Sequence, residues 1–317
     1  MCTFGPVPSR RLGQSLGINN IPPKFCTYSC VYCQVGRTNH LLKGRRVFYN
    51  PDKIFAEVQN RVEMLKEIDE KIDYLTFVSD GEPTLDTLLG REIILTRSLQ
   101  IKVAVITNAS LIWRPDVRDD LMQADFVSLK IDSVQEDIWK KINRPHGALK
   151  IDKIMKGMQD FTKDYQGNLV TETVLVKGLN DNDSQIHKIA DFVKQLKPSV
   201  AYVAIPTRPP AEKWVQPPDE DLINKAFQIF NDKIKHVEYL IGYEGNAFAF
   251  TGNVEDDLLN ITAIHPMRED AVRKLIKKAN ADWSFVQELI NKQKLVKTKY
   301  AGNQYYIRKF SNGGCSN

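Results

Sequence analysis

The chain has 317 residues, 42% hydrophobic and 26% charged, with a net charge of +5, enough to bury a full core and to form one large domain plus a small one. It contains no run of about 18 apolar residues, and its N-terminal MCTFGPVPSRRLG lacks an apolar stretch. Neither membrane spanning nor secretion is therefore expected, and the cytoplasm is the expected location.

In chain order, residues 13 to 19 read as a strand. Residues 51 to 68 read as a helix, because Ile54, Val58, Val62 and Leu65 recur at helical spacing. Residues 72 to 80 switch to β-rich sequence, 84 to 99 return to helix, and IKVAVITNAS (101 to 110) is an apolar strand with a polar end. A short helix at 116 to 123, a strand at 125 to 132 and helices at 134 to 142 and 147 to 165 follow. Strands at 167 to 180, 199 to 206 and 236 to 245 come next, separated by helices near 184 to 196 and 219 to 234. Apolar strands alternating with amphipathic helices predict an α/β fold with a mainly parallel sheet and helices outside, a partial or complete (β/α) barrel over residues 1 to 253.

Composition changes after about residue 253. From Arg268 to Lys309 there are eleven basic residues against four acidic ones. Two helices, 269 to 280 and 282 to 293, precede a hairpin at 295 to 310 that turns at Ala301, Gly302 and Asn303. Residues 254 to 311 are thus expected to form a small α+β module resembling a winged helix. In it Lys292, Lys294, Lys297, Lys299, Arg308 and Lys309 are candidate phosphate contacts, with Tyr300 or Tyr305 to stack on a base. The tail, 312 to 317, reads as disordered, with Cys315 incidental.

Three of the five cysteines fall within KFCTYSCVYCQVG, at Cys26, Cys30 and Cys33. That clustering, with Cys2 and Cys315 at opposite ends, is not a disulfide framework. A zinc site wants four ligands, and His40 is the nearest fourth candidate. Three thiolates on one loop suit a [4Fe-4S] cluster with one iron left for an external chelating ligand. Residues 1 to 51 hold Arg10, Arg11, Lys24, Arg37, Lys43, Arg45 and Arg46 and no acid. Such a local positive field steers a cofactor carboxylate, RNA phosphates or an acidic electron carrier; a solvated basic face is the plainer alternative.

The spacing Cys-x3-Cys-x2-Cys after a first strand, with Tyr32 before the third cysteine, resembles the signature of the radical S-adenosylmethionine superfamily. The resemblance covers residues 13 to about 250. It implies a [4Fe-4S] cluster on Cys26, Cys30 and Cys33, and S-adenosylmethionine chelated at the open iron. One electron then cleaves a sulfur–carbon bond, and the 5'-deoxyadenosyl radical takes a hydrogen from the substrate. A one-electron donor such as flavodoxin or ferredoxin is implied as partner. Asp80-Gly81-Glu82, followed by Pro83, resembles the family's Gly-Gly-Glu turn, with Asp80 in place of the usual Gly, and implies contact with the methionine amino group. Asn108, ending the third strand, is implied at the cofactor ribose. Lys130 and Asp132 end the fourth; Lys130 is implied at the cofactor carboxylate, an ion pair with Asp132 being the alternative. GPVPSRRLGQSLGIN, INRPHG and LVKGLND further resemble the iron-sulfur oxidoreductases related to the tRNA wyosine-base synthase. That synthase carries a second cluster on N-terminal cysteines, whereas here only Cys2 precedes Cys26.

Candidate substrate-binding or catalytic residues are Arg10, Arg11, Arg144, His146, Lys177, Arg208, Tyr243 and Glu244. Several cations among them suggest an anionic substrate, RNA phosphate or carboxylate. Lys177 is a candidate Schiff-base lysine or a phosphate partner. Residues 206 to 220, with five prolines and Trp214, are expected to form a stiff loop over the barrel mouth. Three readings stand: a radical enzyme acting on RNA such as tRNA, one acting on a peptide, protein or small metabolite, and a non-enzymatic iron-sulfur redox regulator with a DNA-binding winged helix.

Overall fold

The computed structural model describes residues 2–242, 245 and 248–309. It begins with the antiparallel pair β1 (Thr3–Ser9) and β2 (Gly13–Ile18). A two-stranded parallel ribbon follows, β3 (Phe25–Cys26) with β4 (His40–Leu41), and then α1 (Pro51–Glu67). The βα alternation continues with β5 (Tyr74–Phe77), α2 (Leu89–Arg97), β6 (Lys102–Thr107), α3 (Pro115–Leu121) and β7 (Phe126–Lys130). Next come α4 (Glu136–Asn143), α5 (Ile151–Asp164), β8 (Asn168–Val174), α6 (Asp183–Leu196), β9 (Val200–Ala204), α7 (Glu220–Asn231) and β10 (Val237–Leu240).

The main sheet runs β1-β2-β5-β6-β7-β8-β9-β10, parallel throughout except for β1. β1 and β10 are its edges, so the sheet curls into an open half-barrel rather than closing. Between those edges the side chain of Arg10, in the β1–β2 turn, donates to the carbonyls of Tyr239 (3.3 Å) and Gly242 (3.0 Å). Among the described residues, no helix is long and apolar enough to cross a membrane.

The helices form where local signals agree. In α1, Asn50 caps Asp52 N–H, Pro51 occupies the first turn, and Ile54, Val58, Val62 and Leu65 are buried along one stripe. Burying each of these side chains stabilises by roughly 1.5–3 kcal/mol. β1 escapes the sequence pattern because Pro6 and Pro8 interrupt it, yet an edge strand tolerates residues without an N–H.

The C-terminal residues build α8 (Val254–Ile264), β11 (Met267–Arg268), α9 (Glu269–Lys278), α10 (Trp283–Asn291), β12 (Leu295–Tyr300) and β13 (Asn303–Arg308). Their sheet runs β11-β13-β12. α8 is absent from the periodicity because it is buried nearly all round from Asp257 to Ile264. Phe4 and Val7 of β1 join its core with Leu258, Ile261 and Met267. Gly17 leaves room for that contact, since a methyl there would lie 2.0 Å from the Phe4 ring.

Candidate active site

At the carboxyl end of the parallel strands lies a cavity of about 280 Å³. Ligands bind at this end of βα sheets. Its wall includes Cys26, Cys30 and Cys33, and facing them Arg11, Lys130 and Glu172.

The cysteine loop is fixed from three sides. β3 is joined to the turn after β5: Lys24 N–H donates to the Asp80 carbonyl (2.9 Å) and Glu82 N–H to the Phe25 carbonyl (3.1 Å). This closeness requires Gly81, since a methyl there would lie 1.6 Å from the Phe25 oxygen. Residues 142 to 147 form a strap: Ser29 N–H donates to the Asn143 carbonyl (3.0 Å), Val31 N–H to Ile142 (2.9 Å) and His146 N–H to Thr27 (2.9 Å). On the third side Glu212, in the proline-rich loop, accepts Arg37 in a fork (2.8 and 2.9 Å), pairs with Arg144, and donates its N–H to Val31 (3.0 Å). The two guanidiniums hold the Glu212 carboxyl below its ordinary range.

Donors reach the sulfurs. Asn108 Nδ2 lies 3.6 Å and Tyr28 N 3.5 Å from Cys26 Sγ, and Asn143 Nδ2 3.4 Å from Cys30 Sγ. Burial pushes the Cys30 thiol up to about 12 and the Cys26 thiol well above its usual value, so iron must displace their protons. Among the described residues no three His, Cys, Asp or Glu side chains converge on a single ion. His40, the fourth zinc candidate, instead stacks on Phe25 at 4.2 Å. Three thiols on one cavity wall, with N–H donors at two sulfurs, fit a body larger than one ion, as a [4Fe-4S] cluster is.

Several expected cofactor contacts sit differently. Glu82 is buried outside the cavity wall: Oε1 accepts from Thr84 N–H (3.1 Å) and the hydroxyls of Thr84 and Thr107, Oε2 from Asn108 N–H (2.8 Å). Its carboxylate thus braces two strand ends, and Pro83 is buried beside it. Asp80 is buried too, and burial raises its carboxyl to about 7 despite Lys24 and Arg308 nearby. Asn108 lines the cavity, but its amide nitrogen also reaches Thr27 Oγ1 (2.8 Å), tying β6 to the cysteine loop. Asp132 is not brought to the wall; it accepts from Tyr32 OH, Asn143 Nδ2 (2.7 Å) and Val174 N–H (2.9 Å). Tyr32 is at the wall, under Lys130 Nζ, which lies 5.2 Å from its ring centre.

Lys130 pairs with Glu172 (3.0 Å), not with Asp132, and Arg11 joins the same carboxylate. Glu172, on β8, was hidden in LVTETV, where a glutamate reads as solvent-facing; its signal is a charge between threonines of a buried strand. Burial alone would raise its carboxyl, but Lys130 and Arg11 outweigh burial and pull it down to about 2. A carboxyl so depressed contributes stability that is complete above about pH 4.5 and lost as pH falls toward 2, on the order of 3 kcal/mol. Apo-protein is therefore expected to lose more urea stability between about pH 5 and pH 3 than Glu172→Gln does. Equal losses, measured as denaturation free energies, would place the acid-sensitive group elsewhere.

Arg10 and Arg208 line the cavity; Arg208 reaches Gln34 Oε1 and His265 Nε2, each at 3.0 Å. Arg144 and His146 belong to the strap outside it, and Lys177 pairs with Asp219 (2.8 Å) at the surface, which removes it as a cavity nucleophile. Tyr243 and Glu244 lie outside the described residues. Tyr305 is buried, its hydroxyl on the Thr207 carbonyl (3.0 Å), and so presents no free stacking face, whereas Tyr300 is half-buried with its OH on the Pro206 carbonyl (2.8 Å).

An open half-barrel with three thiols and a cationic wall at its carboxyl end defines a class of iron-sulfur enzymes that bind a small cofactor at the cluster. The chain belongs to the radical SAM superfamily, whose model matches residues 20–193. It is 50% identical to a UPF0026 protein of Methanocaldococcus jannaschii over 96% of this chain and 95% of that one. A probable dual-specificity RNA methyltransferase RlmN of Endomicrobium trichonymphae is 27% identical over 63% of this chain and 57% of its own length. The solved structure of TYW1 with a lysine-pyruvate adduct bound shares the fold, with TM-score 0.52 and 15% identity over 71% of this chain and 76% of that one. The protein is thus a radical SAM superfamily enzyme, with a [4Fe-4S] cluster and S-adenosylmethionine as cofactors and a need for a reductant.

Proposed function

We propose that the protein modifies RNA in the cytoplasm, with Cys26, Cys30 and Cys33 holding the cluster. Held by these three thiols, the cluster would supply one-electron reduction of S-adenosylmethionine and, through it, hydrogen abstraction from the substrate. The chain's own groups position and enclose. The main chain around Gly81 offers acceptors for the cofactor ammonium, and Lys130 with Arg11 a cationic partner for its carboxylate. Val35, Val78, Ile106 and Ile205 supply apolar wall that excludes water from a reactive radical.

The observation that carries the RNA reading is the attachment of the C-terminal hairpin to the cavity. Tyr300 and Tyr305 bond residues 206 and 207, which line it, and Gln34, next to Cys33, donates to the Ile264 carbonyl (2.9 Å). The order helix, strand, two helices and hairpin supports reading residues 254 to 311 as a winged helix. Its exposed Lys297 and Lys299 stand on a hairpin fixed beside the mouth, a layout suited to a polyanion whose base enters the cavity. Lys294 and Lys292 are less suited, being paired with Glu255 and Glu288. The name of the RlmN relative points the same way.

Binding to a structured tRNA across a salt series tests this. Neutralising Lys297 and Lys299 together is expected to lower the slope of log K against log salt by about one to two. An unchanged slope, or no affinity above a neutral control, would favour a peptide or metabolite substrate.

A further inference from the structure

The cysteine loop has two faces. Its inner face turns Cys26, Cys30, Cys33, Gln34 and Val35 to the cavity. Its outer face is β4 and the segment after it, and no residue from 36 to 50 lines the cavity. On that face Leu41 and Val47 are 38% and 59% exposed, and Lys43 and Arg46 are exposed beside them. Leu41 is the ribbon partner of Cys26, and Leu42 N–H donates to the Cys26 carbonyl at 2.9 Å. Arg46 lies over the rings of Phe25 and Phe48, 4.9 Å from each centre. This surface is therefore one hydrogen bond from the backbone of a cysteine whose thiol faces the other way.

The charge there is not cancelled locally. Arg11, Arg37 and Arg45 are paired with Glu172, Glu212 and the Asp116–Asp120 pair. Among the described residues neither Lys43 nor Arg46 has an ion-pair partner; Asp86 is the bridge partner of the Arg46 backbone, while the guanidinium lies over the two rings.

We propose that this outer face, with Leu41 and Val47 at its centre and Lys43 and Arg46 at its rim, docks an acidic one-electron carrier protein. The proposal rests on the cluster reading of the three cysteines. One electron leaves the reduced carrier, which is oxidised, and enters the cluster, which is reduced; no bond is made and no proton moves. A small apolar centre with a charged rim matches transient redox encounters, which sit at the low end of interface size. RNA fits less well, because a reacting base must enter the cavity and this face does not border it.

The test uses full-length reconstituted protein and compares S-adenosylmethionine cleavage driven by reduced flavodoxin with cleavage driven by dithionite. In Lys43→Glu/Val47→Glu the flavodoxin-driven rate at low salt is expected to fall about tenfold or more, with the dithionite rate unchanged. The wild-type flavodoxin rate should itself fall as salt rises. Equal flavodoxin rates in variant and wild type overturn the proposal, as does a matching loss of tRNA affinity, which would make the face an RNA surface. Should the double change lower the dithionite rate, Lys43→Gln decides: about a threefold loss with flavodoxin alone is expected, and no loss overturns the proposal. No dithionite-driven cleavage in the wild type instead sinks the cluster reading, and the docking proposal with it.

Discussion

Replacing Cys26, Cys30 and Cys33 together by alanine is expected to take anaerobically reconstituted protein from about four irons per chain to near zero. The loop should keep its shape, because main-chain bonds from Ser29, Val31 and Leu42 and the Glu212 clamp hold it without the thiols. Loss of iron with an unchanged circular dichroism spectrum and melting of the apo-protein would therefore isolate ligation from folding. Cofactor cleavage should fall to background in the same protein. Iron retained at about four would mean that other residues hold it.

Gly81→Ala should be nearly as damaging, for a steric reason. The new methyl would sit 1.6 Å from the Phe25 oxygen and 2.6 Å from its carbon, and backbone cannot swing aside as a flexible side chain can. Either β3 or the turn after β5 must move, at a cost of about 1–3 kcal/mol or more, and both the Glu82–Phe25 bond and the placing of Cys26 move with it. Iron content is expected to fall below about one per chain. Gly44→Ala, where a methyl meets nothing within 4 Å, serves as the control and should keep full iron. Equal iron in the two variants would show that the turn does not set the cysteine loop.

The difference between these residues also explains which features are legible in the sequence. The cysteine trio declares itself because its chemistry lies in local spacing, and the parallel strands do because burial on both faces leaves unbroken apolar runs such as VAVI. The Asp80–Glu82 turn was placed correctly at a strand end, but the direction of the Glu82 carboxylate depends on Thr107 and Asn108, residues of another strand. Glu172, Glu212 and His265 were missed for the same reason: each takes its meaning from partners more than 30 residues away. The local positive field proved partly an artefact of reading one segment alone, since Arg11, Arg37 and Arg45 meet acids from later in the chain.

The most direct test of the central claim, that this cavity is where S-adenosylmethionine meets the cluster, is 5'-deoxyadenosine formation by reconstituted, dithionite-reduced protein. Wild type should form it and the triple cysteine variant should not. Formation at equal rates in both, or none by the wild type at full iron loading, would contradict the account.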